Sequence, residues 1–317
     1  MQTVLVAGGA GFIGSHLCDA LLDLGYKVIC VDNLSTSSEK NLEPLKSNPN
    51  FSFLKLNVVD PLPEDINADF VFHLASPASP NHHSPISYHV LALETMLANS
   101  TGTLELLKFA EKNSAKFLFA STSEVYGEPL VHPQKEDYRG NVSTIGPRSV
   151  YDEAKRFGET ITSYFWREKN VDARIARIFN TYGPNMLRED MRMSVLFVMQ
   201  ALEGKPITIF GDGKQTRSLC FVTDTVDGLM KLMFTDGLKG EVVNIGSPDE
   251  HTVLEYAELI KKLCSSKSEI ILSEPLPEDD PKERQPDISK AKKLLDWAPK
   301  VSLEEGFGKT IEYFKRI

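Results

Sequence analysis

Val4-Leu-Val-Ala-Gly-Gly-Ala-Gly-Phe-Ile-Gly14 begins as a short apolar run and continues into a glycine-rich turn. The segment that follows, from Phe12 to Leu24, has the apolar spacing of an amphipathic helix. A buried strand, a tight turn and a helix are therefore predicted in that order, which is the beginning of a β-α-β unit.

The spacing of Gly8, Gly11 and Gly14 lets the backbone turn sharply and approach a pyrophosphate, at which the first amides of the helix then point. A second apolar run, Lys27 to Val31, ends at Asp32. An acidic side chain after the second strand accepts hydrogen bonds from an adenosine ribose and repels a 2′-phosphate. The sequence therefore predicts a dinucleotide site that binds NAD rather than NADP.

Further apolar runs alternate with helical stretches, as in a parallel sheet that is covered by helices on both faces. The long helical stretches are predicted at about Tyr88 to Lys112 and Val150 to Arg167. The fold class is therefore α/β, a Rossmann-type doubly wound parallel sheet with a smaller C-terminal substrate-binding lobe. The further predicted strands are Phe51-Ser-Phe-Leu-Lys-Leu56, Asp69-Phe-Val-Phe-His-Leu-Ala75, Lys116-Phe-Leu-Phe-Ala120 and Asp172-Ala-Arg-Ile-Ala-Arg177.

The texture of the sequence changes after Pro184 to longer connections punctuated by proline and glycine. We expect residues 1–184 to form the NAD-binding domain, with about 216–246 returning to it, and 185–317 to form mainly the substrate lobe. The acidic, proline-rich run from Glu274 to Pro281 is expected to be a loop.

Composition restricts the class of partner. The 317 residues carry a formal net charge of -9, which argues against nucleic acid or an anionic membrane as the main partner. No leader-like segment or membrane-length apolar run is seen, so a cytoplasmic location is expected. The cysteines are scattered without metal-ligand spacing and are expected to be buried, reduced thiols. They are Cys18, Cys30, Cys220 and Cys264.

Tyr151 and Lys155 are spaced i, i+4, so both project from one face of the predicted helix. An ammonium beside a phenol favours the phenolate, and we expect Lys155 to lower the pKa of Tyr151 until it is a usable base. Such a base takes the hydroxyl proton of a sugar alcohol while hydride leaves for the nicotinamide. Thr122, at the end of the preceding strand, is expected to hydrogen-bond the same substrate oxygen.

These motifs resemble the extended short-chain dehydrogenase/reductases that act on nucleotide sugars, over essentially the whole chain. Within that group the similarity is greatest to the UDP-glucuronate decarboxylases. The matching strings are His73-Leu-Ala-Ser-Pro-Ala-Ser-Pro80, Ser121-Thr-Ser-Glu-Val-Tyr-Gly127, Gly146-Pro-Arg-Ser-Val-Tyr-Asp-Glu-Ala-Lys-Arg156, Ala176-Arg-Ile-Phe-Asn-Thr-Tyr-Gly-Pro184, Gln215-Thr-Arg217 and Gln285-Pro-Asp-Ile288.

The resemblance implies specific roles for residues of this chain. Arg284 matches an arginine near the substrate, which contacts the diphosphate or supplies a proton, and Asp60 is either an adenine contact or a turn carboxylate. The implied cofactor-binding residues are Gly8, Gly11, Phe12, Ile13, Gly14, Asp32, Asn33, Asp60, Ala75, Tyr151 and Lys155. The implied substrate-binding residues are Ser123, Asn180, Arg192, Arg217 and Arg284, where guanidinium groups suit phosphate and ribose oxygens.

Ser123 and Glu124 bear on the reaction type. Related 4,6-dehydratases carry Asp-Glu at this pair, and without the first acid the expulsion of water loses help worth about 10²- to 10⁴-fold. A uronic acid needs no such acid, because oxidation of C4 makes a β-keto acid that loses carbon dioxide. The resemblance thus implies decarboxylation of UDP-glucuronate to UDP-xylose, with Thr122, Tyr151 and Lys155 oxidising C4 and with Glu124 and Arg284 serving decarboxylation and reprotonation.

Three alternatives stay open at this level: a 4,6-dehydratase that dispenses with an acid at Ser123, a UDP-glucuronate 4-epimerase, and a catalytically silent NAD-binding sensor. The segment between Pro80 and Thr95 is several residues longer than the usual family loop, which leaves the exact sugar acid open. His82 and His83 are adjacent and therefore poorly placed as a metal pair, so no metal is expected. A homodimer is expected.

Overall fold

The computed structural model describes all 317 residues of the chain. The strands are β1 (Thr3–Ala7), β2 (Lys27–Asp32), β3 (Phe51–Lys55), β4 (Phe70–His73), β5 (Lys116–Thr122), β6 (Ala173–Ile178), β7 (Thr181–Tyr182), β8 (Ile207–Ile209), β9 (Thr216–Ser218), β10 (Cys220–Phe221), β11 (Val242–Ile245), β12 (Glu250–Thr252) and β13 (Ile270–Leu272).

The helices are α1 (Phe12–Asp23), α2 (Ala92–Leu97), α3 (Thr103–Asn113), α4 (Ser149–Glu168), α5 (Met193–Leu202), α6 (Val222–Phe234), α7 (Val253–Leu263), α8 (Ser289–Leu295) and α9 (Leu303–Phe314). Short 3₁₀ segments occupy Glu39–Leu42, Ser123–Tyr126 and Arg188–Asp190, and a π-helix occupies Ala98–Gly102. No helix combines the length and the apolar character needed to cross a bilayer.

A seven-stranded, all-parallel sheet in the order β11-β6-β5-β4-β1-β2-β3 forms the centre of the molecule. Strand β1 lies inside it, pairing with β2 on one side and β4 on the other. Because the chain runs outward in both directions from this point, the carboxyl ends of β1 and β4 form the crevice where doubly wound sheets bind their ligands.

Side chains of β1 alternate between the two faces of the sheet, as the period of two requires. Val4 and Val6 pack in the core beneath α1 and α6, whereas Leu5 and Ala7 pack in the second core beneath α3. Both faces are therefore covered, which is why the strands are apolar without the polar alternation of a half-exposed sheet.

The C-terminal segment is attached to the sheet by specific polar contacts as well as by apolar packing. The carboxylate of Asp224, at the start of α6, accepts hydrogen bonds from the backbone amides of Lys300 and Val301, both at 2.9 Å. The indole of Trp297, which is buried, donates to the backbone carbonyl of Asp224 at 3.1 Å. Strand β11 pairs with β6 and so brings residues beyond Pro184 back to the sheet edge.

The predicted α/β fold class is confirmed. Each of the four further predicted strands is present, and α4 matches its predicted limits within one residue at either end. The helix predicted from Tyr88 was placed too early, because the chain forms turns up to Leu91 and its helical path is then interrupted by the π-helix. In the loop before Tyr88, hydroxyl and amide side chains bond to the backbone carbonyls of residues 189–191. The proposed domain limits remain a prediction.

The thiols agree with expectation. Cys18, Cys30 and Cys220 are buried, Cys264 is partly buried, and all of them are free.

Gly14 provides a test of the glycine turn. A methyl group on Gly14 would overlap the carbonyl oxygen of Gly8, which is backbone and cannot rotate away. We expect Gly14→Ala to lower the free energy of unfolding by about 1–3 kcal/mol, as measured by urea denaturation. Gly308, within α9, has open space around its Cβ position. The control Gly308→Ala should gain about 0.5–1 kcal/mol, and equal effects of the two substitutions would contradict the argument.

Candidate active site

A deep cleft opens at the carboxyl ends of the central strands and is closed on its other side by α5 and the segments around β9 and the 276–281 loop. Many of the residues named from the sequence line it. They are Gly8, Gly11, Phe12, Ile13, Gly14, Thr122, Glu124, Tyr151, Lys155, Asn180, Arg192 and Arg217. Residues far apart in the chain are thus brought to one cavity.

The remaining predicted residues do not line this cleft. Asn33 and Asp60 are exposed, and the amide oxygen of Asn33 accepts from the backbone of Ser35. Ser123 and Arg284 are buried behind Glu124 and bond to its carboxylate. Arg284 therefore reaches the cavity only through Glu124 in this structure.

The glycine turn forms a close cradle. Gly8 has a left-handed backbone with φ 81°, and a Cβ there would lie 2.7 Å from the backbone nitrogen of Ala75. Asp32 stabilises the turn through hydrogen bonds. Its carboxylate accepts from the backbone amides of Ala10 (3.0 Å) and Leu34 (2.8 Å) and from the hydroxyl of Ser37 (2.8 Å). Bulkier residues at the turn would fill the space that a phosphate group requires.

Tyr151 is buried at the start of α4, with Thr122 as its hydrogen-bonding neighbour. Burial raises the pKa of Tyr151 to about 12, and the Thr122 hydrogen bond and the charge of Arg192 offset this only in part. The expectation of a lowered pKa for Tyr151 is therefore wrong for the protein without ligands. Desolvation raises the pKa of Tyr151 by more than the charge of Lys155 lowers it. The Nζ of Lys155 lies 5.8 Å from the centre of the Tyr151 ring.

Lys155 is equally enclosed. Its Nζ donates to the carbonyl oxygen of Ala120 at 2.7 Å and lies 5.1 Å from the centre of the Phe119 ring. Burial lowers the pKa of Lys155 to about 7, although the carboxylate of Glu159 works in the opposite direction. Near neutral pH, Lys155 can therefore exchange a proton, whereas Tyr151 stays protonated.

A polar network behind the cleft fixes the strand that carries Thr122. The carboxylate of Glu159 accepts from the hydroxyl of Ser121 at 2.6 Å and pairs with Arg177 at 2.8 Å. Arg177 in turn donates to the hydroxyl of Tyr126 at 3.1 Å. This network ties α4 to β5 and β6, and so holds the Tyr151/Lys155 face against the end of the strand.

Glu124 occupies the opposite side of the site. Its carboxylate accepts from the guanidinium of Arg148 at 2.5 Å, from Arg284 at 3.3 Å and from the hydroxyl of Ser123 at 3.0 Å. Burial would raise the pKa of Glu124, but the charges of Arg284, Arg148 and Arg217 outweigh it and lower the pKa to about 2. Glu124 is therefore ionised at neutral pH.

Arg148 extends this cluster into an alternating chain of charges. Its second nitrogen donates to Asp280 at 2.8 Å, and Asp280 also accepts from Arg217 at 2.7 Å. The acidic loop expected around Pro281 is thereby anchored to the N-terminal half of the chain. No role was predicted from the sequence for Arg148 or Asp280. The one feature that could have indicated Arg148 is its position three residues before Tyr151, in a segment that resembles the decarboxylases.

Asp152 lies next to Tyr151, is buried and leaves its Oδ1 without a hydrogen-bond partner. Burial and the charge of Glu124 raise the pKa of Asp152 to about 8, against the opposing charges of Arg148 and Arg284. This carboxyl is therefore largely protonated at neutral pH. The sequence offered no indication of it.

The two adjacent histidines converge on one partner. His83 Nε2 lies 3.1 Å and His82 Nε2 lies 3.7 Å from the carboxylate of Glu274, on the exposed rim of the cleft. Adjacency therefore does not keep the imidazoles apart, contrary to the sequence argument, and the ligand atoms of all three residues lie within 4.8 Å of one another.

Comparison with known proteins identifies the family of this chain. Residues 4–246 match the model of the NAD dependent epimerase/dehydratase family. The chain belongs to this family. The cofactor expected from the sequence, NAD, is thereby confirmed as that of the epimerase/dehydratase family. The contact of Asp32 with the ribose stays a prediction, because its carboxylate bonds to Ala10, Leu34 and Ser37 in this structure.

Individual members of the epimerase/dehydratase family support the narrower resemblance. UDP-glucuronic acid decarboxylase 1 of Danio rerio is 47% identical over 315 residues, covering 99% of this chain and 73% of the relative. UDP-glucuronic acid decarboxylase 2 of Arabidopsis thaliana is 48% identical over 316 residues, covering 99% and 68%. The crystal structure of UDP-glucuronic acid 4-epimerase from Bacillus cereus, in complex with UDP-glucuronic acid and NAD, has a TM-score of 0.87 at 30% identity and covers 99% of both chains.

Lys155 should lower the stability of this epimerase/dehydratase in a pH-dependent way. Because its folded-state pKa is about 7 rather than 10.5, the unfolded chain binds a proton that the folded chain lacks between these values. Wild-type stability from this group therefore rises with pH across that window. We expect the stability of Lys155→Met relative to wild type to be higher at about pH 6.5 than at about pH 9.5, measured by urea unfolding.

The loss of the hydrogen bond to Ala120 changes the free energy of unfolding of Lys155→Met by the same amount at both pH values. The informative result is therefore how the stability difference between variant and wild type changes with pH. Lys112→Met, on the exposed face of α3, is the control and should show no such difference. A pH-independent effect of Lys155→Met would contradict the argument.

Proposed function

We propose that this protein decarboxylates UDP-glucuronate to UDP-xylose through a 4-keto intermediate, with NAD regenerated in each cycle. The observation that carries the proposal is the Ser123-Glu124 pair: a serine stands where water elimination needs an acid, and the following carboxylate is held ionised by two arginines. The relatives named UDP-glucuronic acid decarboxylase point to the same substrate.

In the first step the sugar C4 hydroxyl is oxidised. Thr122 holds the C4 oxygen, and as the C4 hydride leaves, Tyr151 takes the hydroxyl proton while its own phenolic proton passes to the neutral amine of Lys155. Lys155, with its pKa near 7, lets the pair release that proton near neutral pH. When NAD is bound it supplies the chemistry of this step by accepting the hydride and later returning it.

In the second step the C5–C6 bond of the β-keto acid breaks. Carbon dioxide leaves, and the electron pair of the broken bond passes into the C4 ketone as an enolate. C5 then takes up a proton from a water molecule, and hydride returned to C4, with a proton from Tyr151, gives the pentose. Glu124, fixed by Arg148, orients the ring for this sequence and does not itself store the proton, because it is ionised.

A UDP-glucuronate 4-epimerase is the second candidate. The Bacillus cereus structure with the same fold is a 4-epimerase with UDP-glucuronic acid bound. Epimerisation uses the same oxidation and leaves C5 and C6 untouched. A 4,6-dehydratase is less favoured, because it would need an acid at Ser123.

The deciding experiment incubates the NAD-loaded protein with UDP-glucuronate and follows the products by mass spectrometry and proton NMR. We expect one carbon dioxide to be lost per sugar and a UDP-pentose to form with no net consumption of NAD. An unchanged mass with inverted C4 would replace the proposal by the epimerase, and loss of water from UDP-glucose or dTDP-glucose would replace it by the dehydratase.

Tyr151→Phe is the matched variant in that assay, because it keeps the buried ring and removes the proton carrier. We expect kcat to fall by about 10²- to 10⁴-fold while NAD binding is retained. Undiminished turnover would remove Tyr151 from the oxidation step.

We further propose that the protein is a homodimer that associates through α2 and α4. These neighbouring helices expose apolar side chains on one surface, with Leu93 61% and Phe157 53% exposed, and Met96 and Tyr164 beside them. An apolar surface of this kind on two packed helices suits a twofold contact with the same helices of a second copy.

Sedimentation velocity tests this surface. Wild type is expected to be a dimer, and the double variant Leu93→Glu/Phe157→Glu is expected to be a monomer. In a twofold contact both subunits carry the substitutions, so four unpaired carboxylates would be buried at the interface. Leu24→Glu is the control, since Leu24 is 62% exposed but follows α1 on the other face of the sheet. A dimer that persists in the double variant would exclude this interface.

A further inference from the structure

Tyr88 contacts both halves of the reaction site. Its ring stacks on the ring of Tyr151, with the centres 4.9 Å apart and the planes 8° from parallel. The guanidinium of Arg148, which pairs with Glu124, lies 5.9 Å from the centre of the Tyr88 ring. Tyr88 therefore lies between the residue that oxidises C4 and the cluster proposed to act at C5 and C6.

The hydroxyl of Tyr88 has no partner in the protein. The residue lines the cleft but is only 1% exposed, and its Oη is a buried oxygen without a hydrogen bond. Buried hydroxyls are normally satisfied, so an unpaired one beside a binding cavity points to a ligand group. Burial raises the pKa of Tyr88 well above its ordinary value, so the hydroxyl stays a neutral donor.

The loop that carries Tyr88 is held in place. The hydroxyls of Ser79 and Ser84 donate to the backbone carbonyls of Asp190 and Glu189, and the amide of Asn81 donates to the carbonyl of Met191 at 2.8 Å. The backbone amide of Tyr88 donates to the carbonyl of Ser79 at 3.1 Å. Tyr88 is thus presented on an ordered support, as a residue that selects a ligand must be.

We propose that Tyr88 is a positioning and specificity residue: its ring holds Tyr151 in place, and its hydroxyl donates a hydrogen bond to the carboxylate of the bound sugar acid. The inference deepens the proposed function and rests on it. The carboxylate is the fitting acceptor, because the guanidinium of Arg148 lies 5.9 Å from the centre of the Tyr88 ring and its positive charge favours an anionic group there.

A neutral donor also suits the chemistry. A carboxylate held by a guanidinium would gain a strong charge-assisted bond that is lost when carbon dioxide forms. Such a bond stabilises the ground state more than the transition state and slows the reaction. A phenol recognises the carboxylate through a weaker bond and so opposes its departure less.

Tyr88→Phe separates the hydroxyl from the ring. With the NAD-loaded protein, we expect the KM for UDP-glucuronate to rise about 10-fold or more. The inhibition constant of UDP-xylose, which lacks the carboxylate, should stay within about twofold of wild type, since a lost donor weakens only the ligand that accepts from it. Equal changes in both constants, or no change in either, would overturn the role of the hydroxyl.

Tyr88→Leu tests the ring. It should lower kcat below that of Tyr88→Phe and move the pH at which kcat is half-maximal, because Tyr151 loses its stacked neighbour. An unchanged pH profile would overturn the positioning role. Tyr26→Phe is the control, because Tyr26 stacks on Phe234 at 5.1 Å away from the cleft and should leave both constants and the profile unaltered.

Failure of the proposed function gives a different result. If wild type releases no carbon dioxide from UDP-glucuronate, the decarboxylase proposal fails whatever Tyr88 does. Calorimetric binding of UDP-glucuronate and UDP-xylose to wild type and Tyr88→Phe then still measures the carboxylate preference. A preference that is lost in Tyr88→Phe supports the inference, and one that is kept contradicts it.

Discussion

The ion pair between Glu124 and Arg148 is the interaction on which the rest of the site depends. It lies at the end of β5 and the start of α4, and through Asp280 and Arg217 it reaches segments more than sixty residues further along the chain. A buried carboxylate is tolerated only with such partners, and removing one partner from a buried pair costs about 3–5 kcal/mol. These ion pairs thus connect the segments that line the cleft.

The pKa shifts in two parts of the cleft have different dominant causes. Around Tyr151 and Lys155 desolvation dominates, raising the pKa of the phenol and lowering that of the amine toward neutrality. Around Glu124 the arginine charges dominate, and the carboxylate stays ionised despite its burial. Lys155 can therefore exchange a proton near neutral pH, while Glu124 supplies a fixed negative charge.

The segment from Ser79 to Leu91 gives the cleft a wall of its own. Its polar side chains bond to the carbonyls of residues 189–191, just before Arg192 and α5, and not to a helix of its own. The wall therefore joins the segment after β4 to the segment before α5. The π-helix that follows places the Asn99 amide 2.8 Å from the hydroxyl of Ser76 in the cavity lining, an irregularity of the kind found at functional sites.

The sequence by itself determined the parallel sheet, the glycine turn and the Tyr151/Lys155 pair, because these depend on local periodicity and on spacing within one element. Val4 to Gly14 predicts strand, turn and helix without knowledge of any distant residue, and an i, i+4 pair lies on one face wherever the helix packs. The sequence also placed Thr122 at the end of a strand, and the family resemblance implied that Thr122, Glu124 and Lys155 share one site.

Only the tertiary structure decided the pairing of Arg148 with Asp280, the stacking of Tyr88 on Tyr151, the seclusion of Arg284 behind Glu124 and the direction of the Tyr151 pKa shift. Each depends on residues between 63 and 160 positions apart or on the depth of burial, and a local sequence pattern contains neither kind of information. Electrostatic free energies change with desolvation, and desolvation exists only after the chain has folded.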